Sequence, residues 1–170
     1  MKLFVKLTLV FGLLEFSCFN PFAPELNNKV DLSNIITEQQ SPDEVLQNFR
    51  FAYTFKDSLL YSDVLDESFV FEFFDPNLEP SGGLRTWSRD VDLKTTGSLF
   101  RTFDVINLIW LNTLFLEGDG EVERRFLRFN LNLFSSDENF IVTGTAIFTF
   151  RKSLADNKWR LVRWKDDSDF

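Results

Sequence analysis

The chain's first sustained apolar periodicity is helical: Val45, Leu46, Phe49, Ala52 and Tyr53 fall on one face at three- and four-residue spacing. Phe51 and Phe55 form a second apolar pair, so this helix is expected to be covered on two sides. Its start is written locally. Ser41-Pro42-Asp43-Glu44 supplies an N-cap serine, a proline at the first helical position and a glutamate three residues on, which together satisfy the free amides of a helix start. Asp57-Ser58 reads as a second start, with Leu60, Tyr61, Val64 and Leu65 on one side of a short helix. Phe69 to Phe74 is a strand-like run, nearly all aromatic or apolar, stopped at Asp75-Pro76. Asn77 to Gly83 reads as a loop. A weaker helix follows from Ser88 to about Phe103, its propensity lowered by Thr95, Thr96 and Gly97.

From there the period changes to two. Strands are expected near 104–116, 121–134, 140–152 and 159–166, separated by Gly118-Asp119-Gly120, Ser135 to Asn139 and Ala155-Asp156-Asn157-Lys158. In the third of these, Phe140, Val142, Gly144, Ala146, Phe148 and Phe150 alternate with Thr143, Thr145, Thr149 and Arg151, the pattern of a sheet with one buried face. Gly144 and Ala146 leave room for the sheet to bend over the helices. Short consecutive connections imply an antiparallel meander. Helices first and sheet later make an α+β domain.

Composition adds a location. A basic start, Met1 to Lys6, and a short apolar run, Leu7 to Leu14, precede the chain's single cysteine, Cys18. That arrangement predicts a lipoprotein-type signal peptide over 1–17, a lipid on Cys18, a tether over 18–40 and a folded domain over 41–170. The implied localisation is the cell envelope, outside the cytoplasm and anchored in a membrane through the lipid. Glu15 and Phe16 depart from the small or aliphatic residues usual before such a cysteine, and the competing reading of Cys18 is a buried free thiol. The apolar run is too short to span a bilayer, for which roughly 20 residues are needed. One cysteine excludes an internal disulfide. Without residues 1–17 the chain keeps 16 basic against 25 acidic residues, a net charge of −9, which disfavours nucleic acid and anionic headgroups. The chain's twenty-two phenylalanines, most of them within 41–170, and four tryptophans predict a strongly aromatic core.

Ala52-Tyr53 in the first helix, Lys56-Asp57 at the break and Phe69 to Pro76 form a familiar sequence of parts. With Gly144-Thr145-Ala146-Ile147-Phe148 and Trp159 to Trp164 in the closing strands, the chain resembles the nuclear transport factor 2-like superfamily from about Ser41 to Asp167. The resemblance implies a cystatin-like cone, with a curved antiparallel sheet wrapped around N-terminal helices, and it is compatible with bacterial lipoproteins that carry such a domain. It also implies a pocket between sheet and first helices, for which Tyr53, Tyr61, Trp87, Trp110 and Trp164 are the wall or mouth candidates. The competing role for each is ordinary core packing with its polar tip satisfied. Superfamily members include isomerases, dehydratases, cyclases, carriers and assembly modules, and fold does not choose among them.

An enzymatic reading follows from the similarity to ketosteroid isomerase, a member of that superfamily. There a first-helix tyrosine donates to an oxyanion and an aspartate after the first strand shuttles the proton; Tyr53 and Asp75 occupy similar places. No second acid matches the other half of that oxyanion hole, and the favoured reading of Asp75-Pro76 is a strand terminator in a turn. The absence of histidine excludes Ser-His-Asp and Cys-His sites and the His-Asp dyad of scytalone dehydratase-like relatives. No cofactor motif appears, Ser81-Gly82-Gly83 lacks the context of a phosphate loop, and Asp166-Asp167-Asp169 reads as a solvated tail rather than a metal site. The favoured expectation is a non-enzymatic, exported module that takes a small apolar molecule or a peptide, or pairs with a second copy through its sheet face. The alternative is an acid/base enzyme using Asp75 and Tyr53.

Overall fold

A computed structural model describes residues 35–78 and 80–168, all within the compact unit Ser33–Phe170. The leader, Cys18 and most of the tether lie outside the described residues. Three helices and six strands follow in the order α1 (Pro42–Phe55), α2 (Ser58–Val64), β1 (Leu65–Asp75), β2 (Gly83–Ser88), α3 (Arg89–Thr102), β3 (Val105–Gly118), β4 (Val122–Phe134), β5 (Asn139–Lys152) and β6 (Trp159–Ser168).

Local chemistry explains the helix bounds. The Ser41 hydroxyl accepts from the Glu44 amide at 3.3 Å, while the Glu44 carboxylate reaches back to the Gln40 amide at 2.7 Å. At the other end Lys56 takes a left-handed conformation, φ 56°, and its amide caps the Ala52 and Tyr53 carbonyls. Asp57 then caps α2 through the Leu59 and Leu60 amides. Ahead of α1, Ile35–Gln40 is already pinned to the domain. Asn48 holds the Thr37 backbone on both sides, and the Trp159 amide donates to the Gln39 carbonyl at 2.8 Å. Residues 37–39, expected as tether, are thus bonded to the folded domain.

The curved sheet has the order β2-β1-β6-β5-β4-β3. The expected meander is present from β3 to β6, with every neighbour antiparallel. β1 joins it through one parallel pairing, Phe71 opposite Trp164 and Glu72 opposite Lys165, and β2 closes the edge antiparallel to β1. β2 falls in the stretch between the expected loop and third helix. Leu84-Arg85-Thr86-Trp87 shows no clean alternation, and its pairing with β1 makes it a strand. β6 also runs two residues further than its pattern indicates, to Ser168.

The core fills the space between the concave sheet and the helices. Phe49 is its hub, stacked on Tyr53 at 4.9 Å between ring centroids and meeting Tyr61, Trp110, Trp164 and Phe148 at 5.3–5.8 Å. Gly144 sits where β6 presses closest to β5. A Cβ there would lie 2.4 Å from the Ser168 Cα and 2.9 Å from the Asp167 carbonyl oxygen, so only glycine admits that approach. Among the described residues no helix is long and apolar enough to cross a membrane.

Candidate functional site

The interior is not completely filled. Between α1, α3 and the concave sheet lies a cavity of about 180 Å³, lined by aromatic rings together with Leu99, Leu108, Leu131 and Val142. Its polar lining is confined to Asp92, Thr95, Thr96, Asp166 and Ser168. Phe71, Trp87, Asp166 and Ser168 also line an adjoining groove of about 690 Å³, through which the cavity reaches the surface.

Of the sequence-predicted wall residues, Tyr53, Trp87, Trp110 and Trp164 line the cavity. Tyr61 stands behind them, fully buried, its ring 5.5 Å from that of Tyr53. Trp110 is fixed by its indole N–H, which donates to the Leu46 carbonyl at 3.0 Å, and so ties β3 to α1. The Trp164 indole nitrogen is buried without a hydrogen-bond partner among the described residues.

Asp92 organises the inner end. The Tyr61 hydroxyl donates to its Oδ2 at 2.7 Å and the Trp87 indole N–H to its Oδ1 at 3.0 Å. Burial pushes the Asp92 carboxyl above its ordinary range, although both of those bonds oppose the shift. The Tyr53 hydroxyl lies within hydrogen-bonding reach of Thr96 and Tyr61. Burial, reinforced by the nearby Asp92 charge, raises Tyr53 far above a free phenol; Tyr61 is raised by burial too. Both phenols therefore stay protonated across the physiological range. Tyr61 thus remains the phenol that donates to Asp92.

Asp166 faces the cavity from β6. Its Oδ1 accepts from the Ser168 hydroxyl at 2.6 Å. Burial raises its pKa, the neighbouring Asp167 charge adds to the rise, and Ser168 opposes it. Of the expected solvated tail, Asp169 lies outside the described residues and Asp167 is exposed, whereas Asp166 is a wall of the site, because strand alternation turns Trp164, Asp166 and Ser168 inward together.

Tyr53 and Asp75 are not brought together. Asp75 ends β1 on an ion pair with Arg85 of β2, 2.7 Å from the guanidinium, and caps the following turn by accepting from the Asn77 amide. It does not line the cavity. The carboxylates that do, Asp92 and Asp166, were not among the expected site residues. Asp92 had a legible signal: it shares a face of α3 with Thr96 and Phe100 at four-residue spacing, and all three are buried. Asp166 had none, since its inward turn depends on β6 continuing past the acidic cluster.

No protein-family model matches the chain, and no curated protein matches it. Solved structures do match in shape. A conserved protein from Planctomyces limnophilus superposes with a TM-score of 0.63 at 13% identity, covering 75% of this chain and 92% of that one. A protein of the nuclear transport factor 2-like family from Streptomyces avermitilis gives 0.58 at 12% identity, over 81% and 97% of the two chains. A scytalone dehydratase-like protein from Novosphingobium aromaticivorans gives 0.59 at 12% identity, over 75% and 81%. The fold is the nuclear transport factor 2-like cone.

Proposed function

We propose that this protein is a non-enzymatic binding module whose guest is a small, largely apolar molecule held in the aromatic-lined cavity. The observation that carries the reading is the cavity itself, about 180 Å³ of space inside an otherwise packed core. An empty apolar hole of that size costs stability, and a cavity of roughly 150 Å³ lined by similar side chains holds a benzene-sized molecule. An assembly module would need no such hollow. The isomerase-like alternative is weakened by Asp75, whose carboxylate is engaged by Arg85 outside the cavity. Asp92 does reach the cavity, yet both of its oxygens already accept bonds from the protein.

The proposal keeps the location read from the sequence. The module is delivered outside the cytoplasm, held at a membrane by a lipid on Cys18, with its domain projecting from the tether.

One experiment addresses both parts: mass spectra, native and denatured, of the protein isolated gently from its own membrane. The expected result is a chain beginning at Cys18 with added mass that survives denaturation, plus a second mass lost on denaturing. Leu131→Trp, which fills the cavity, is expected to abolish the second mass and spare the first. A chain beginning elsewhere, or unmodified, overturns the anchor. A guest retained unchanged by Leu131→Trp overturns the cavity.

A further inference from the structure

Several acids of this domain are matched to bases. Asp43 pairs with Arg125, Asp66 with Arg151, Glu72 with Arg163 and Lys165, and Asp75 with Arg85. Asp92 and Asp166 have no ion pair among the described residues, and both line the cavity. No lysine or arginine lines it. The cations nearest in sequence to Asp166 are Arg163 and Lys165, and both are committed to Glu72.

Asp92 is accommodated by two neutral donors, Tyr61 and Trp87. Asp166 has less support: Ser168 serves Oδ1, and Oδ2 accepts no bond among the described residues. Burial raises both carboxyls, as it does for acids that lack a counter-ion. The rings of Tyr53, Phe71, Trp87, Trp110 and Trp164 line the same cavity. Ring faces attract cations, and tryptophan does so best. An unpaired carboxylate at the mouth and a box of rings behind it are therefore complementary to the same charge.

Resting on the apolar-cavity reading above, we propose that the guest is an organic cation: an ammonium group with small apolar substituents, its charge lying between Asp166 and the ring faces. Such a guest supplies the missing counter-ion and covers apolar wall at the same time. A rigid cationic side chain cannot do this from within the fold, because the cavity walls are already apolar and aromatic.

The test is calorimetric titration of the purified protein with choline and with its uncharged carbon isostere, 3,3-dimethylbutan-1-ol, with toluene as a neutral reference. The two isosteres match in shape and differ in charge. Choline is expected to bind at least about tenfold more tightly than the alcohol, a difference of about 1.4 kcal/mol. Asp166→Asn is expected to remove most of that preference, bringing choline affinity towards that of the alcohol. Trp87→Leu is expected to weaken choline binding further. Equal or tighter binding of the alcohol overturns the cation assignment and leaves the apolar cavity standing. Toluene binding without choline binding does the same. If none of the three binds, both the cation assignment and the cavity reading fall. The wild-type comparison decides the question even if a variant does not fold.

Discussion

Tyr61 shows how a single buried hydroxyl holds the inner end of the site. It lies on the short helix α2, capped by Asp57, and its hydroxyl crosses to Asp92 on α3 at 2.7 Å. Tyr61→Phe keeps the ring and its aromatic contacts but leaves the buried Oδ2 of Asp92 without a donor. The expected cost is about 1–3 kcal/mol, measured as a lower urea midpoint at unchanged m-value. A loss well under that would mean that water replaces the hydroxyl. At this scale the sequence was legible for Tyr53, Trp87, Trp110 and Trp164, since large amphipathic rings on periodic elements point to a wall. For Asp75 the favoured reading, a strand terminator in a turn, is the one found. Asp-Pro after a strand looks the same whether the carboxylate enters a cavity or pairs with an arginine on the adjoining strand, and Arg85 belongs to a strand with no local signature.

Among the elements, the β5–β6 pair decides the shape of the cavity mouth. Gly144 opposes Ser168, and the backbone of β6 passes where a side chain at 144 would stand. Because the obstructing atoms are backbone, they cannot rotate aside. Gly144→Ala is expected to destabilise by about 1–3 kcal/mol through overpacking, or to lift the end of β6 and displace Asp166. Amide exchange would distinguish these: faster exchange confined to 165–168 indicates local lifting, whereas wild-type stability and exchange would show that the strand yields freely. The helix starts, the α1 face and the β3 to β6 meander were readable because caps, turns and periodicity act over a few neighbouring residues. β2 was not, because an edge strand of mixed composition is created by its partner.

For the whole molecule, the two buried cavity acids set a pH response opposite to that of the acids paired with arginine. The folded state holds the protons of Asp92 and Asp166 more tightly than the unfolded chain does, since burial raises both from an ordinary 3.8. Their contribution is therefore most favourable at or below that value and is lost as pH rises through the raised folded pKa values. Asp43 and Asp156 behave conversely. Arg125 lowers the first and Arg160 the second, so their contributions are present above 3.8 and lost as pH falls through the lowered values. Thermal melting is expected to show a maximum on the mildly acidic side of neutrality. Replacing Asp92 and Asp166 by Asn is expected to flatten the fall that sets in above 3.8 while leaving the acid limb intact. An unchanged slope in the double variant would show that neither acid is raised by its burial.

By itself the sequence determined the helices and their caps, the alternation of the long strands, the α+β order and the aromatic character of the interior. All of these follow from hydrogen bonding and side-chain periodicity between near neighbours. Only the tertiary structure decided that β1 lies parallel to β6, that Arg85 takes Asp75 out of contention, and that Asp92 and Asp166 share one cavity. Those outcomes join residues far apart in the chain, 74 positions for Asp92 and Asp166 and 93 for Phe71 and Trp164. They are set by how all the elements bury their apolar faces at once, a condition that no local pattern contains.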